Sequence, residues 1–217
     1  MKKLIIICEG ITEELFGKKI LKEHFKYLNI EAEFPLISHS SGGIVKWTHL
    51  QSQIENTLAI DPYCFTTTFI DYYGIATHHK FPKWEISLSE IDKSRKMSIL
   101  ENGMLENIPA DLQNRFIPYI QLHEFEALVF SEYASFENYY EASEANFVNL
   151  KIICNSNPNP ETINNSRLTA PSKRLEDNIR RYDKKTHGID ICEMIGLPKI
   201  RAKCPRFNEW ITKLENI

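Results

Sequence analysis

The sequence has no long hydrophobic run and few cysteines. No stretch holds the roughly 20 consecutive apolar residues that a membrane-spanning helix needs. The apolar run at residues 4–8 is too short, and too close to an acidic residue, for a secretory signal. The five cysteines are scattered and contain no Cys-x-x-Cys pair, which argues against a disulfide framework and a zinc ribbon. We therefore expect a cytoplasmic protein that does not associate with membranes.

The charge of the chain is unevenly distributed. At 217 residues, with 42% apolar and 25% charged residues, the chain is long enough for one α/β core and is unlike a disordered protein. Residues 167–206 carry 11 Lys and Arg against 5 Asp and Glu, so this segment has a charge of +6 and the rest carries −9. A basic segment beside an acidic body suits a phosphate-bearing polymer near a metal site. Solvated charges on ordinary helices explain the same pattern, and both interpretations stay open.

The chain is organised around its N-terminal stretch. The unbroken apolar run at residues 4–8 predicts a strand buried on both faces, as in a parallel sheet covered by helices. The run ends at Glu9-Gly10, and apolar residues then recur at helical spacing up to Leu28. Thr12 is the predicted N-cap of this helix, with Glu13 in its first turn. A carboxylate thus follows a buried strand, at the edge where α/β sheets bind ligands.

Strand and helix patterns alternate along the first half of the chain. Strands are predicted at residues 30–38, 64–70 and 115–121, the first of them near a sheet edge because of Pro35. Helices are predicted at residues 44–60 and 87–104, and residues 75–111 are interpreted as a helical insertion. Right-handed crossovers between such strands give a parallel sheet. We therefore predict an α/β fold with a mostly parallel sheet of about four strands flanked by helices.

The predicted organisation has two parts. Residues 1–155 form the α/β domain with its insertion, and residues 156–217 form a basic helical C-terminal region packed on it. The loop at residues 155–166 separates them because it is rich in Asn and Pro. Beyond this loop, a short helix begins at Pro171 and two or three more follow, the last starting near Pro205.

Acidic residues follow three of the predicted strands. Glu9 comes after the first, Asp71 after the third, and Glu124 and Glu126 after the fourth. Because the carboxyl ends of parallel strands meet at one edge of a sheet, Glu9 and Asp71 are expected on the same edge. Carboxylate oxygens are the ligands that Mg²⁺ prefers, and Mn²⁺ is the alternative ion. Glu124 and Glu126 have an equally good structural explanation, since a helix N-terminus favours acids, and only one of the two is expected to face the site.

Five motifs resemble a known family. The segments IIICEGITEE, FIDYYG, RFIPYIQLHEFEALVFS, PSKRL and GLPKIRAKCPRFNEWI look like the Toprim-like family catalogued as domain of unknown function 4276. More distantly, Glu9-Gly10, Glu13 and Asp71 look like the Toprim core of topoisomerases, bacterial primases and the overcoming-lysogenization-defect nucleases. This likeness implies a Toprim-like, or Rossmannoid, fold with the metal-dependent chemistry of a nuclease.

The resemblance also implies roles for single residues. Glu9 matches the glutamate used for acid/base chemistry or metal binding, and Asp71 matches the first residue of an Asp-x-Asp metal motif. Tyr73 stands where that motif has its second aspartate, so Glu124 or Glu126 would have to complete the metal shell. Glu13 and Lys173 match a second acid and a lysine in the lysogenization-defect branch. Relatives of this kind often accompany AAA-type or ABC-type ATPases in bacterial anti-phage systems, which implies such a partner.

The sequence thus leads to a hypothesis of metal-dependent hydrolysis of DNA or RNA. The hypothesised catalytic residues are Glu9, Glu13 and Lys173, and the hypothesised metal ligands are Glu9, Glu13, Asp71, Glu124 and Glu126. Nucleic acid is expected on basic side chains of the C-terminal region, namely Lys173, Arg174, Arg180, Arg181, Lys199 and Arg201.

Two other functions stay open. One is a catalytically inactive Toprim-like module that binds a partner ATPase or a nucleotide. The other is a phosphotransferase or phosphatase with Asp71 as nucleophile, although the Tyr-Tyr-Gly that follows lacks a matching acid. Whether the protein forms a homodimer is open as well.

Overall fold

A computed structural model describes residues 2–38, 40, 43–164 and 169–217. Arg167, the first residue of the basic segment, and Ser166, the last of the predicted loop, lie outside these ranges. The chain forms two compact units, one made of the residues up to Leu122 together with Trp210–Ile217, and the other of His123–Glu209. Within the described ranges, no helix has the length and apolar character of a membrane span.

The first unit is built on a parallel sheet. Its strands are β1 (Lys2–Cys8), β2 (Ile30–Glu33), β3 (Cys64–Asp71), β4 (Phe116–Ile117) and β5 (Ile120–Gln121). The order is β2-β1-β3-β4, with β5 also paired to β3, and every pairing is parallel. The predicted α/β class is confirmed, and so is the edge position of the second strand.

Helices connect these strands. They are α1 (Ile11–Phe16), α2 (Lys22–Tyr27), α3 (Trp47–Ile60), α4 (Trp84–Leu88) and α5 (Lys93–Glu106). A π-helical turn at Gly17–Leu21 joins α1 to α2, so that the chain from Ile11 to Tyr27 is one continuous helix. Its N-cap is Gly10, whereas the predicted cap Thr12 is buried inside the first turn. The prediction was wrong by two residues because Glu13, and not a threonine hydroxyl, binds the amide of the cap.

Both faces of the sheet are buried. Ile5 and Ile7 point into a core with Leu50 of α3 and Leu100 of α5. On the other face, Phe69 of β3 contacts Phe16, with ring centroids 6.0 Å apart, and Trp210 at 5.1 Å. This explains the unbroken apolar run at residues 4–8, because alternate side chains of β1 serve two cores.

A proline divides the predicted fourth strand into β4 and β5. Pro118 has no N–H group, so it cannot donate to the ladder with β3. Threonine hydroxyls of β3 supply the missing contacts: Thr67 donates to the Ile117 carbonyl, and Thr68 donates to the Tyr119 carbonyl at 2.8 Å. The Tyr119 amide donates back to the Thr68 hydroxyl at 3.0 Å. β3 is therefore held to both short strands despite the interruption.

Replacing Thr68 by valine is expected to lower the free energy of unfolding by about 2–4 kcal/mol. The substitution keeps the volume but leaves both the buried amide and the buried carbonyl of Tyr119 without this partner, and each lost partner costs about 1–3 kcal/mol. Urea unfolding measures the change. Thr66→Val is the control, because the buried Thr66 hydroxyl makes no hydrogen bond to any described backbone group. Equal losses in the two variants would contradict the role given to Thr68.

The second unit is helical. It contains α6 (Ala134–Tyr139), α7 (Phe147–Ser156), α8 (Pro171–Asn178), α9 (Ile189–Ile195), α10 (Leu197–Lys203) and the start of α11 (Pro205–Glu215). The residues after β5 that were expected to begin an α-helix form a 3-10 helix at Phe125–Ser131. The helices expected from Pro171 and from Pro205 both begin at those residues. These two compact units do not test the domain boundary predicted near residue 155, which stays a prediction.

Candidate functional site

Glu9 and Asp71 lie together at the carboxyl edge of the sheet. Cys8 at the end of β1 is in register with Phe69 of β3, and the Glu9 amide donates to the Phe69 carbonyl at 3.0 Å. The Glu9 carboxylate accepts a hydrogen bond from the Asp71 amide, with Oε2 at 2.9 Å from the nitrogen. The parallel register of two neighbouring strands therefore places both acids at one edge, as the sequence predicts.

Gly74 leaves space for the Glu9 carboxylate because it has no side chain. Gly74 ends a short 3-10 helix, Tyr72–Gly74, that follows Asp71 directly. A Cβ atom built on Gly74 would lie 2.8 Å from Glu9 Oε1, which is closer than real Cβ contacts occur. Any side chain at position 74 would therefore displace the Glu9 carboxylate from the position in which it accepts from the Asp71 amide.

Glu13 supports the turn between β1 and α1. It is buried, and its Oε2 accepts a hydrogen bond from the Gly10 amide at 2.8 Å. Burial raises the pKa of the Cys8 thiol, and the negative charge of Glu13 raises this pKa further. Glu13 thus lies next to the end of β1, where it fixes the backbone between Glu9 and the helix.

Three aromatic rings follow Asp71 in the same unit. The rings of Tyr72 and Tyr73 stack with centroids 6.4 Å apart and planes 27° apart, and Tyr72 contacts Trp84 at 6.1 Å. All three rings are half-buried. Burial raises the pKa of the Tyr72 hydroxyl, so this tyrosine is neutral at physiological pH.

The pair of acids suits a divalent ion that keeps part of its coordination for substrate. In the described part of the chain, no three His, Cys, Asp or Glu side chains form a cluster that would hold a metal by itself. Mg²⁺ is commonly bound by one or two carboxylates, with water and substrate phosphates completing its octahedron. Glu9 and Asp71 fit this kind of site and do not fit an all-protein cage for zinc or calcium.

Glu124 and Glu126 belong to the second unit. The Glu124 carboxylate accepts a hydrogen bond from the Ser172 amide at 3.1 Å, so it caps the N-terminus of α8. Glu126 is buried, and its carboxylate lies 3.9 Å from the Lys184 ammonium. The two acids thus have different partners. Their participation in one metal shell with Glu9 and Asp71 stays a prediction.

The six basic residues predicted to bind nucleic acid also lie in the second unit. Lys173 and Lys199 form ion pairs with Glu176 and Glu132, and the Glu176 carboxylate raises the pKa of Lys173. Two arginines are held by oxygen acceptors: Arg174 Nε donates to the Thr169 carbonyl at 2.9 Å, and Arg201 Nε donates to Asn208 Oδ1 at 2.7 Å. Arg180 and Arg181 are exposed.

The structure gives roles to several residues to which the sequence patterns assign none. Tyr72, Tyr73 and Gly74 follow Asp71 directly in the sequence. Their positions depend on the 3-10 helix that they form. Glu161 is fully buried in a segment that the sequence indicates to be a loop. Its carboxylate accepts hydrogen bonds from two backbone amides of α11, a contact between distant residues that no local pattern signals.

The fold and the site together define an α/β protein with two carboxylates at the carboxyl edge of a parallel sheet. The chain belongs to the family described as domain of unknown function (DUF4276), which matches residues 8–215. No curated protein and no solved structure matches the chain. Membership in domain of unknown function 4276, predicted from the five motifs, is therefore confirmed, and the likeness to Toprim proteins stays a prediction.

Proposed function

We propose that the protein is a metal-dependent nuclease that hydrolyses phosphodiester bonds in DNA or RNA. The observation that carries the proposal is the Glu9 and Asp71 pair, joined by the hydrogen bond from the Asp71 amide to the Glu9 carboxylate. Glu9 and Asp71 follow neighbouring parallel strands at the edge where α/β sheets bind ligands, and carboxylate oxygens at such an edge suit a hard cation. Mg²⁺ is the proposed ion, with Mn²⁺ as its substitute.

The residues of the first unit have distinct parts in this proposal. Glu9 and Asp71 would hold the ion, and when bound the ion supplies polarisation of the phosphate and a lowered pKa for a water molecule. The Asp71 amide orients the Glu9 carboxylate, and Gly74 leaves space for it. Glu13 holds the turn that follows Glu9, through the Gly10 amide. A direct contribution of Glu13 to metal binding or proton transfer is part of the same proposal.

The distant likeness to Toprim nucleases adds the finer detail. The matched family carries no functional description, so this likeness rests on Glu9-Gly10, Glu13 and Asp71 alone. It supports a role as an effector of anti-phage defence with an ATPase partner. It also supports a phosphate-neutralising role for Lys173, which is exposed and has a raised pKa. Glu124 and Glu126 stay proposed as further ligands.

A cleavage assay tests the proposal. Plasmid DNA, single-stranded DNA and RNA are incubated with the protein in Mg²⁺, in Mn²⁺ and in EDTA. We expect cleavage with either ion and none in EDTA, and we expect Asp71→Asn to lose it. Metal-dependent cleavage that is kept by both Asp71→Asn and Glu9→Gln would exclude the assignment, because the two carboxylates would then not be the ligands.

A catalytically inactive module is the second candidate. Tyr73 replaces the second acid of the Toprim motif, and the described residues hold no cluster of three ligands. Such a module would bind a partner ATPase or a nucleotide through the same edge of the sheet. Calorimetry separates the two candidates. The inactive module predicts no heat of Mg²⁺ or Mn²⁺ binding to the protein, with or without a single-stranded oligonucleotide. The nuclease is expected to bind the ion when substrate phosphate is present.

A further inference from the structure

We infer that the site takes single-stranded nucleic acid, whose unpaired bases stack on an aromatic strip formed by Tyr73, Tyr72 and Trp84. The inference rests on the proposed function, since it names the substrate of the same site. The strip begins directly after Asp71, and the Tyr72 ring contacts both the Tyr73 ring and the Trp84 ring. Bases that stack on this strip would place the sugar-phosphate backbone beside the paired carboxylates.

The rings are held in place but are not enclosed. Tyr72 and Trp84 pack against the core with part of each ring, and the rest remains accessible. The indole nitrogen of Trp84 donates to the Thr77 hydroxyl at 3.1 Å, which fixes the orientation of the ring. Rings that are fixed before binding lose little entropy when a base stacks on them.

The chemistry of the strip selects unpaired bases. Successive aromatic side chains bind successive bases in proteins that hold single strands, and they do so without reading the sequence. In a duplex both faces of each base are covered by neighbouring base pairs, so a protein ring cannot stack without opening the helix. The strip therefore favours single-stranded DNA or RNA over a duplex.

The charge of the surrounding segment agrees with this occupant. Residues 77–96 carry five Lys and Arg against three Asp and Glu; of the five, Lys83 pairs with Glu106 and Lys96 is buried. Lys80 is exposed and has no ion-pair partner among the described residues, and the exposed His78 precedes it on the same turn. Lys80 supplies positive charge for phosphates near the aromatic rings, and His78 adds a hydrogen-bonding group beside it.

Tryptophan fluorescence gives a direct readout of stacking. The chain has three tryptophans, and Trp47 and Trp210 are only 3% and 2% exposed, so a base can stack only on Trp84. Oligo-dT and oligo-rU of about 12 nucleotides are titrated into the intact protein in EDTA, where no cleavage occurs, and a duplex of equal length is titrated in parallel. We expect quenching by either single strand and little by the duplex. Stronger quenching by one of the two identifies DNA or RNA as the preferred strand.

Substitutions separate stacking from folding. Tyr73→Leu is expected to weaken single-strand binding about tenfold or more, measured by anisotropy of a labelled oligonucleotide, and Tyr73→Phe is expected to keep it. Tyr63→Leu is the matched control, because Tyr63 is 82% exposed and precedes β3, at the end of the strand opposite to Asp71. Thermal unfolding of each variant checks that it folds.

The outcomes distinguish this inference from the proposed function. Equal binding of duplex and single strand, or equal affinity of Tyr73→Leu and Tyr63→Leu, overturns the inference even when cleavage is present. Quenching and loss of binding in Tyr73→Leu, with no cleavage in Mg²⁺ or Mn²⁺, support the aromatic strip and exclude the nuclease.

Discussion

Replacing Glu9 by glutamine is expected to slow metal-dependent cleavage at least about 100-fold, with little change in the unfolding temperature. The glutamine keeps an amide oxygen that can accept the hydrogen bond from the Asp71 amide, and it has the size of the glutamate that fits beside Gly74. What is lost is the negative charge to which the proposed function assigns the binding of a cation, and losses of such groups cost about 10² to 10³ in rate. Initial rates at saturating Mg²⁺ measure the effect.

Glu14→Gln provides the matched control. Glu14 lies on the same helix, one residue after Glu13, and its carboxylate forms an ion pair with Lys18 at 2.6 Å. This variant removes one carboxylate close to the site without touching the pair at the sheet edge, so its rate should stay near that of the native protein. A similar loss in the two variants would mean that the general negative charge of this region, and not Glu9 itself, supports cleavage. A normal rate in Glu9→Gln would remove Glu9 from the mechanism.

The sequence predicts the sheet edge well because its signals are local. An unbroken apolar run marks β1, and a carboxylate followed by glycine marks its end. A buried strand that ends at a carboxylate recurs at β3, and parallel topology then places Glu9 and Asp71 at the same edge. Nothing in this reasoning depends on contacts between distant residues, which is why it reaches the site.

The details that fail depend on contacts that sequence patterns do not reveal. The cap predicted at Thr12 fails because Glu13 binds the Gly10 amide instead. The single strand predicted at residues 115–121 is divided at Pro118, and only the hydroxyls of β3 explain how the two halves stay paired. In the first case a neighbouring side chain takes the place of the predicted cap, and in the second case side chains of another strand hold the segment in which Pro118 cannot donate.

Acidic residues at strand-to-helix junctions have two competing explanations, which are metal binding and capping of a helix N-terminus. Glu9 lies at the sheet edge beside Asp71, whose amide donates to its carboxylate, and the proposed function assigns this pair to a cation. Glu124 instead binds the Ser172 amide at the start of α8, where the helix dipole favours its charge. The sequence cannot separate these cases, because the partner of each carboxylate is more than 40 residues away. The hydrogen-bond partner of each carboxylate, which the motif does not show, distinguishes Glu9 from Glu124.

Glu161→Ala is expected to cause the largest loss of stability in the second unit, about 3–5 kcal/mol. Glu161 is fully buried, and its two carboxylate oxygens accept hydrogen bonds from the Arg206 and Phe207 amides, at 2.9 and 3.0 Å, in the first turn of α11. Alanine leaves both amides buried without this partner and opens a cavity, and these costs add. For a chain of this size, the unfolding temperature should fall by about 10 °C. Glu176→Ala, which removes an exposed ion pair, should change it by no more than about 2 °C.

Comparing the stability of the native protein with that of Glu161→Gln at several pH values tests the same contact through the charge of Glu161. Burial raises the pKa of Glu161, and the two backbone hydrogen bonds oppose that rise without cancelling it. The folded state therefore binds the proton more tightly than the unfolded state, so stability is lost as the pH rises from the ordinary value near 4.5 to the raised pKa. Glutamine does not titrate, and its amide offers one acceptor where the carboxylate offers two. The margin of stability of the native protein over Glu161→Gln should thus narrow as the pH rises through this window. Denaturant unfolding of both proteins at several pH values measures the margin, and a margin that widens with pH would show that Glu161 is stabilised in its charged form.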